Sequence, residues 1–147
     1  MLGKLARWLV LLGYDARFVK RSERSDLDIA EEALREGRVL LTRDRRIPAV
    51  RGLRVLVLRE QRFEDQLKRV LGDFGLKPDA KRFFTRCPEC GSSLQAVSRE
   101  SVLGELPPLV RTLDTAFFRC DPCRHLYWHG THVRNTVEKV RRMGFDV

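Results

Sequence analysis

Residues 25–46 read SDLDIAEEALREGRVLLTRDRR, and the order of elements in this stretch decides the fold class. Ser25 followed three residues later by Asp28 is a capping pattern, and Gly37 is a stop signal, so the spacing predicts a helix over Ser25–Glu36. Val39-Leu40-Leu41 follows at once, a continuous apolar run suited to a strand buried on both faces. Just upstream, Ala16–Val19 is a short strand candidate. Strand, helix and strand in that order make a βαβ unit, whose two strands are expected to be parallel neighbours.

The same grammar extends outward. Leu53–Leu58 is a second buried-type run, and Phe63, Leu67, Val70, Leu71 and Phe74 fall at helical spacing before Gly75. Toward the N-terminus, residues 2–12 predict a helix that is apolar around about 200° of its circumference, ended by a C-cap at Gly13. Lys4 and Arg7 form a narrow basic stripe beside that surface. A helix so apolar has to be covered on several sides. The expected class is α/β, an open parallel sheet with helices on both faces.

From about Arg82 the character changes: cysteines appear, turn residues are dense, and Pro107-Pro108 interrupts the segment between the cysteine pairs. All four cysteines fall in two C-x-x-C pairs, Cys87-Pro-Glu-Cys90 and Cys120-Asp-Pro-Cys123. Each pair can form a tight knuckle with backbone N–H groups aimed at the sulfurs, and two knuckles together give a tetrahedral S₄ zinc site of the ribbon kind. Gly91 supplies the left-handed residue after the first pair, whereas Arg124 stands there after the second, a departure costing about 1 kcal/mol. Disulfides would suit an exported protein, and a redox motif would need a single pair set within the α/β unit. Four thiolates leave no open position for a substrate water, so the Zn²⁺ is expected to be structural, one per chain. His125 is a possible substitute ligand. The Tyr127–His132 run could stack on bases or pack the ribbon against a last amphipathic helix, expected over about Thr131 to Met143.

The 147 residues are 43% hydrophobic and 33% charged, a balance that excludes global disorder. No apolar run approaches the length needed to span a bilayer. The N-terminal apolar stretch is only Trp8 to Leu12, with no small-residue cleavage site after it, so a cytoplasmic location and no membrane partner are expected. Net charge is +9, with 17 basic and 12 acidic residues up to Gly75 and 12 and 8 beyond it, so the excess is spread over both halves. That balance suits a polyanionic partner, nucleic acid above all, though a merely basic solvated surface would read the same way.

Two aspartates stand out from the remaining acids. Asp44, in Thr42-Arg43-Asp44-Arg45, follows a predicted strand directly, and ligand sites of open parallel sheets form outside the carboxyl ends of strands. It could hold a divalent cation while Arg43, Arg45 and Arg46 engage phosphates, or it could be a turn aspartate paired with a neighbouring arginine. Asp26 falls on the helix face that carries Leu27, Ala30, Ala33 and Leu34, where an inward carboxylate is costly unless a metal or donor meets it. The alternative is a helix-cap role for Asp26; Asp28 is read as cap and dipole support.

MLGKLARWLVLLGYDA, then Ser25-Asp26-Leu27, then GRVLLTRDR, resemble the Mut-seven C-terminal RNase domain family, which has a PIN-like nuclease fold. The C-P-E-C pair, the Pro-Pro segment, the second C-x-x-C and the Tyr-Trp-x-Gly-Thr-His run resemble that family's zinc-ribbon tail. The resemblance implies metal-dependent hydrolysis of RNA phosphodiesters, with Mg²⁺ or Mn²⁺ held by carboxylates. It assigns those carboxylates to Asp26 and Asp44, phosphate contacts to Lys4 and Arg7, and a grip on RNA, single-stranded or structured, to the ribbon. It divides the chain into a PIN-like domain, 1–81, and a zinc ribbon with closing helix, 82–147. Family members start with a strand ending in an aspartate just before the residues equivalent to Met1-Leu2-Gly3, and that first strand is missing here. Either the reading frame continues upstream of Met1 or the site lacks one of its carboxylates and is crippled; the first is expected, because helix 2–12 is too apolar for an uncovered end. A catalytically inactive RNA-binding module and a protein-interaction adaptor using the ribbon alone are the competing functional classes.

Overall fold

The computed structural model describes residues 2–20, 22 and 24–147. The chain gathers into two compact units, each built from two separate segments: Met1–Leu5 with Phe18–Leu76, and Ala6–Arg17 with Lys77–Val147. The division passes within the first helix, α1 (Gly3–Leu11).

In the first unit, α2 (Asp26–Arg35) begins as the sequence predicts. Ser25 is its N-cap: its hydroxyl accepts the Asp28 N–H at 3.1 Å, and the Asp28 carboxylate accepts the Ser25 N–H at 3.2 Å. The Ser25 hydroxyl, then the Ser25 N–H, hold the Asp28 carboxyl below its ordinary range. The helix ends at Gly37, where the N–H groups of Gly37 and Arg38 reach back to the carbonyls of Leu34 and Ala33. Next come β1 (Leu40–Thr42) and β2 (Val55–Val57), a parallel pair in the register Leu40↔Val55, Leu41↔Leu56, Thr42↔Val57. The unit's chain then continues through α3 (Phe63–Asp73). Leu5, Ala30, Ala33, Leu58, Phe63, Leu67, Val70 and Leu71 of this unit are buried. Gln66 is buried as well and donates its side-chain amide to the Glu60 carbonyl at 2.9 Å.

Three expectations about this unit are corrected. The parallel neighbours are β1 and β2, joined by residues 43–54, which form turns and no helix. Ala16–Val19 makes no strand: the chain passes from one unit to the other between Arg17 and Phe18, which splits the four residues, and Phe18 is half exposed. Neither strand is buried on both faces, and Val55 is 40% exposed. In a pair of strands each one is an edge, and Leu27 and Leu34 of α2 are exposed as well.

In the second unit, α1 closes at Gly13 with a Schellman motif: Gly13 N–H bonds the Val10 carbonyl and Tyr14 N–H the Leu9 carbonyl, both at 2.9 Å. Leu9, Val10 and Leu12 are buried. The ribbon is a three-stranded antiparallel sheet, β3 (Gln95–Val97), β4 (Phe117–Arg119) and β5 (Leu126–Trp128), with β4 in the middle. Two short helices, α4 (Arg99–Val102) and α5 (Pro108–Arg111), are inserted between β3 and β4. Val102, Leu106 and Phe117 form a small core there, packed by Val97, Val110, Leu126 and Trp128. Helix α6 (Thr131–Arg142) buries Thr136 and Val140, and its Lys139 ammonium lies 4.9 Å over the Trp8 ring. Among the described residues no helix is long and apolar enough to cross a membrane.

The two knuckles are built alike. Gly91 N–H bonds the Cys87 carbonyl at 2.8 Å and Cys87 N–H the Ser92 carbonyl at 2.8 Å; Arg124 N–H bonds the Cys120 carbonyl at 2.7 Å and Cys120 N–H the His125 carbonyl at 3.0 Å. The residue after each pair is left-handed, Gly91 at φ 77° and Arg124 at φ 62°. Arg124→Gly is therefore expected to raise the unfolding free energy by about 1 kcal/mol. Gly13 is constrained twice: its φ is 90°, and a Cβ there would stand 2.4 Å from the Arg82 carbonyl oxygen. Gly13→Ala should cost about 2 kcal/mol or more. Urea unfolding of each variant beside the parent checks both values.

Candidate functional site

The knuckles bring Cys87, Cys90, Cys120 and Cys123 together so that their Sγ atoms all lie within 4.8 Å of one another. Cys87 and Cys120 are buried, Cys123 is half-buried and Cys90 is exposed. All four are free thiols, and Cys90 and Cys120 sulfurs are 3.4 Å apart, well beyond a disulfide bond of about 2.05 Å. Zinc with sulfur at about 2.3 Å needs sulfurs about 3.8 Å apart, so the quartet has the chemistry and the spacing for it. Among the described residues this is the one group of three or more histidine, cysteine or acidic ligand atoms so gathered. His125 is not in it; its ring stands edge-on to Tyr127 instead.

Donors surround the sulfurs. The Ser92 hydroxyl, then the Ser92 N–H, hold the Cys90 thiol down to about 6. The hydrogen bond with Cys90 pushes the Cys123 thiol up to about 12. On the far strand, the Tyr127 hydroxyl stands 3.2 Å from Cys87 Sγ. Burial first, and then this bond, push the Tyr127 phenol well above its usual range, so it stays protonated and can donate.

Trp128 and His129, behind the second knuckle, are half-buried and make internal contacts. Trp128 packs on the small core between β3 and β4. The His129 ring lies 4.6 Å from that of Phe118 and meets Phe84 edge-on. None of these contacts is with α6, against which the sequence expected the run to pack. Neither Tyr127 nor Ser92 stands out as a sulfur donor in the sequence. The parity of β5, which aims Tyr127 and not Trp128 at Cys87, depends on a strand register that only the structure gives: Phe118↔Tyr127.

Asp26 is the first residue of α2 and is half-buried; the cap itself is made by Ser25 and Asp28. Asp44 is half-buried in the turn that leaves the carboxyl end of β1. Its N–H bonds the Thr42 hydroxyl at 3.0 Å, and its Oδ1 accepts the Arg46 N–H at 2.9 Å and Arg46 Nε at 3.4 Å. Arg46 and Arg45 are exposed and Arg43 is half-buried. Lys4 is exposed on α1, with its ammonium 4.5 Å over the Phe63 ring, and Arg7 is exposed one turn further along.

Residues 1–140 match the family model of the Mut7-C RNAse domain. No curated protein and no solved structure matches the chain. A match over nearly the whole length, with the ribbon cysteines drawn into one cluster, is enough to assign the family: the chain belongs to the Mut7-C RNAse domain family.

Proposed function

We propose that the protein is a metal-dependent ribonuclease that hydrolyses RNA phosphodiester bonds, with Asp26 and Asp44 as Mg²⁺ or Mn²⁺ ligands and the cysteine quartet holding one structural Zn²⁺. Membership of an RNase domain family over residues 1–140 is the observation that carries this reading. We take residues 1–81 as the nuclease part and 82–147 as the ribbon with its closing helix. RNA is the substrate class the family points to, and a net charge of +9 suits it.

Hard divalent cations take carboxylate oxygens, and Asp44 stands where a parallel strand ends, the usual edge for a ligand site. A cation there would supply a bound water of lowered pKa and offset charge on the attacked phosphate. The chain's own groups do the rest. Arg46 N–H fixes the Asp44 carboxylate through Oδ1 and so holds its orientation at the strand end. Arg43 and Arg45 hold phosphate oxygens beside it, and Lys4 and Arg7 hold the strand elsewhere along its path. The Arg46 side chain, 89% exposed, can swing from Asp44 to a phosphate at little cost.

A second reading has a specific observation behind it. The bonds between Asp44 and Arg46 are those of a turn aspartate paired with its neighbour, which explains Asp44 without a metal. On that reading the protein is a catalytically inactive RNA-binding module. The substitution Asp44→Asn separates the two. The enzyme loses Mg²⁺-dependent cleavage of single-stranded RNA by ~100-fold or more while binding is kept. The inactive module shows salt-sensitive binding, no cleavage before or after the substitution, and unchanged or tighter binding after it.

Zinc is tested independently of cleavage. Elemental analysis should find one zinc per chain, and a strong chelator should melt the β3–β5 sheet, since structural zinc contributes about 10–16 kcal/mol of apparent binding free energy in small domains. A folded, metal-free protein with two disulfides would overturn the assignment.

A further inference from the structure

We propose that Tyr127 is an outer-shell donor to the zinc site, its phenol hydrogen-bonded to the Cys87 thiolate and setting how firmly that sulfur holds the metal. The inference rests on the zinc reading given above. Cys87 is fully buried, so water cannot solvate its sulfur, and the closest side-chain donor described at that atom is the Tyr127 hydroxyl at 3.2 Å. Four thiolates on one Zn²⁺ carry a net charge of −2. Each sulfur is therefore electron-rich, and hydrogen bonds to it are charge-assisted. Cys90 has Ser92 for this purpose, and the Cys120 sulfur receives the backbone N–H of Cys123. Cys87 takes its donor from the opposite end of the ribbon, on β5, the strand that follows the second knuckle.

The strand register makes the contact a fixed one. Tyr127 pairs with Phe118 across β4–β5, the central position of three, so its ring direction is set by two flanking pairs. Phe117 and Trp128, the adjacent pair, point to the other face and pack with Val102 and Leu106. The phenol thus ties the first knuckle to the strand behind the second. Loss of the hydroxyl removes one donor from a sulfur that has no solvent to replace it, so a buried charged atom loses its partner and the site is weakened. Outer-shell partners of this kind alter metal affinity by about 10–100-fold.

The test is Tyr127→Phe in the full chain, which keeps the ring and its packing. Zinc content is measured first, then the rate of zinc transfer to a chromophoric chelator, then the sulfur-to-metal charge-transfer band after Co²⁺ replacement. The expected result is one zinc in both proteins, transfer about 10-fold faster in the variant, and a band moved to lower energy because the sulfur lone pair is no longer stabilised by a proton donor. Unchanged transfer rate and band overturn the proposal. Faster transfer with an unmoved band also overturns it, since that marks a loosened sheet and not a lost hydrogen bond. A parent protein that binds no zinc overturns the zinc reading itself, and with it this inference, and is told apart at the first measurement.

Discussion

Four sulfur atoms lie within 4.8 Å of one another, and Cys90 and Cys120, which touch at 3.4 Å, are 30 positions apart in the chain. The Ser92 hydroxyl and N–H hold the Cys90 thiol down to about 6, while the hydrogen bond with Cys90 pushes the Cys123 thiol up to about 12. A divalent cation bound to the four sulfurs would close the long loop in which α4 and α5 sit, between the short strands β3 and β4. Strands of three residues have few ladder bonds of their own, so the second unit depends on this crossing point more than on any one strand pairing.

What the sequence made legible is what is encoded locally. The Ser25–Asp28 cap, the glycine stops at Gly13 and Gly37, and the left-handed residue after each C-x-x-C are interactions among neighbours in the chain, and all appear in the structure as read. Arg124 is the instructive case, because a non-glycine residue was expected to be forced into that conformation by the knuckle, and it is. What the sequence hid depends on the size of the sheet and on which unit each segment joins. An apolar triplet such as Val39–Leu41 looks the same in a large covered sheet and in a two-stranded one. Nothing local in Ala16–Val19 says that the chain changes unit there.

Asp44 shows how far a candidate site can be read from its neighbours. The residue sits where a ligand-binding carboxylate of a parallel sheet belongs, and it also does what a turn aspartate does. The backbone bond to Arg46 holds the carboxylate in one orientation at the end of β1. Asp26 is legible in a narrower way. Its position at the first turn of α2 leaves the cap to Ser25 and Asp28, so the carboxylate is not needed to satisfy the helix end.

Each compact unit takes one short piece from the beginning of the chain and one long piece from further on, and the pieces alternate. No single cut in the gene can then release either unit whole. An exchange of coding segments between relatives would carry the front half of α1 with one unit and the back half with the other.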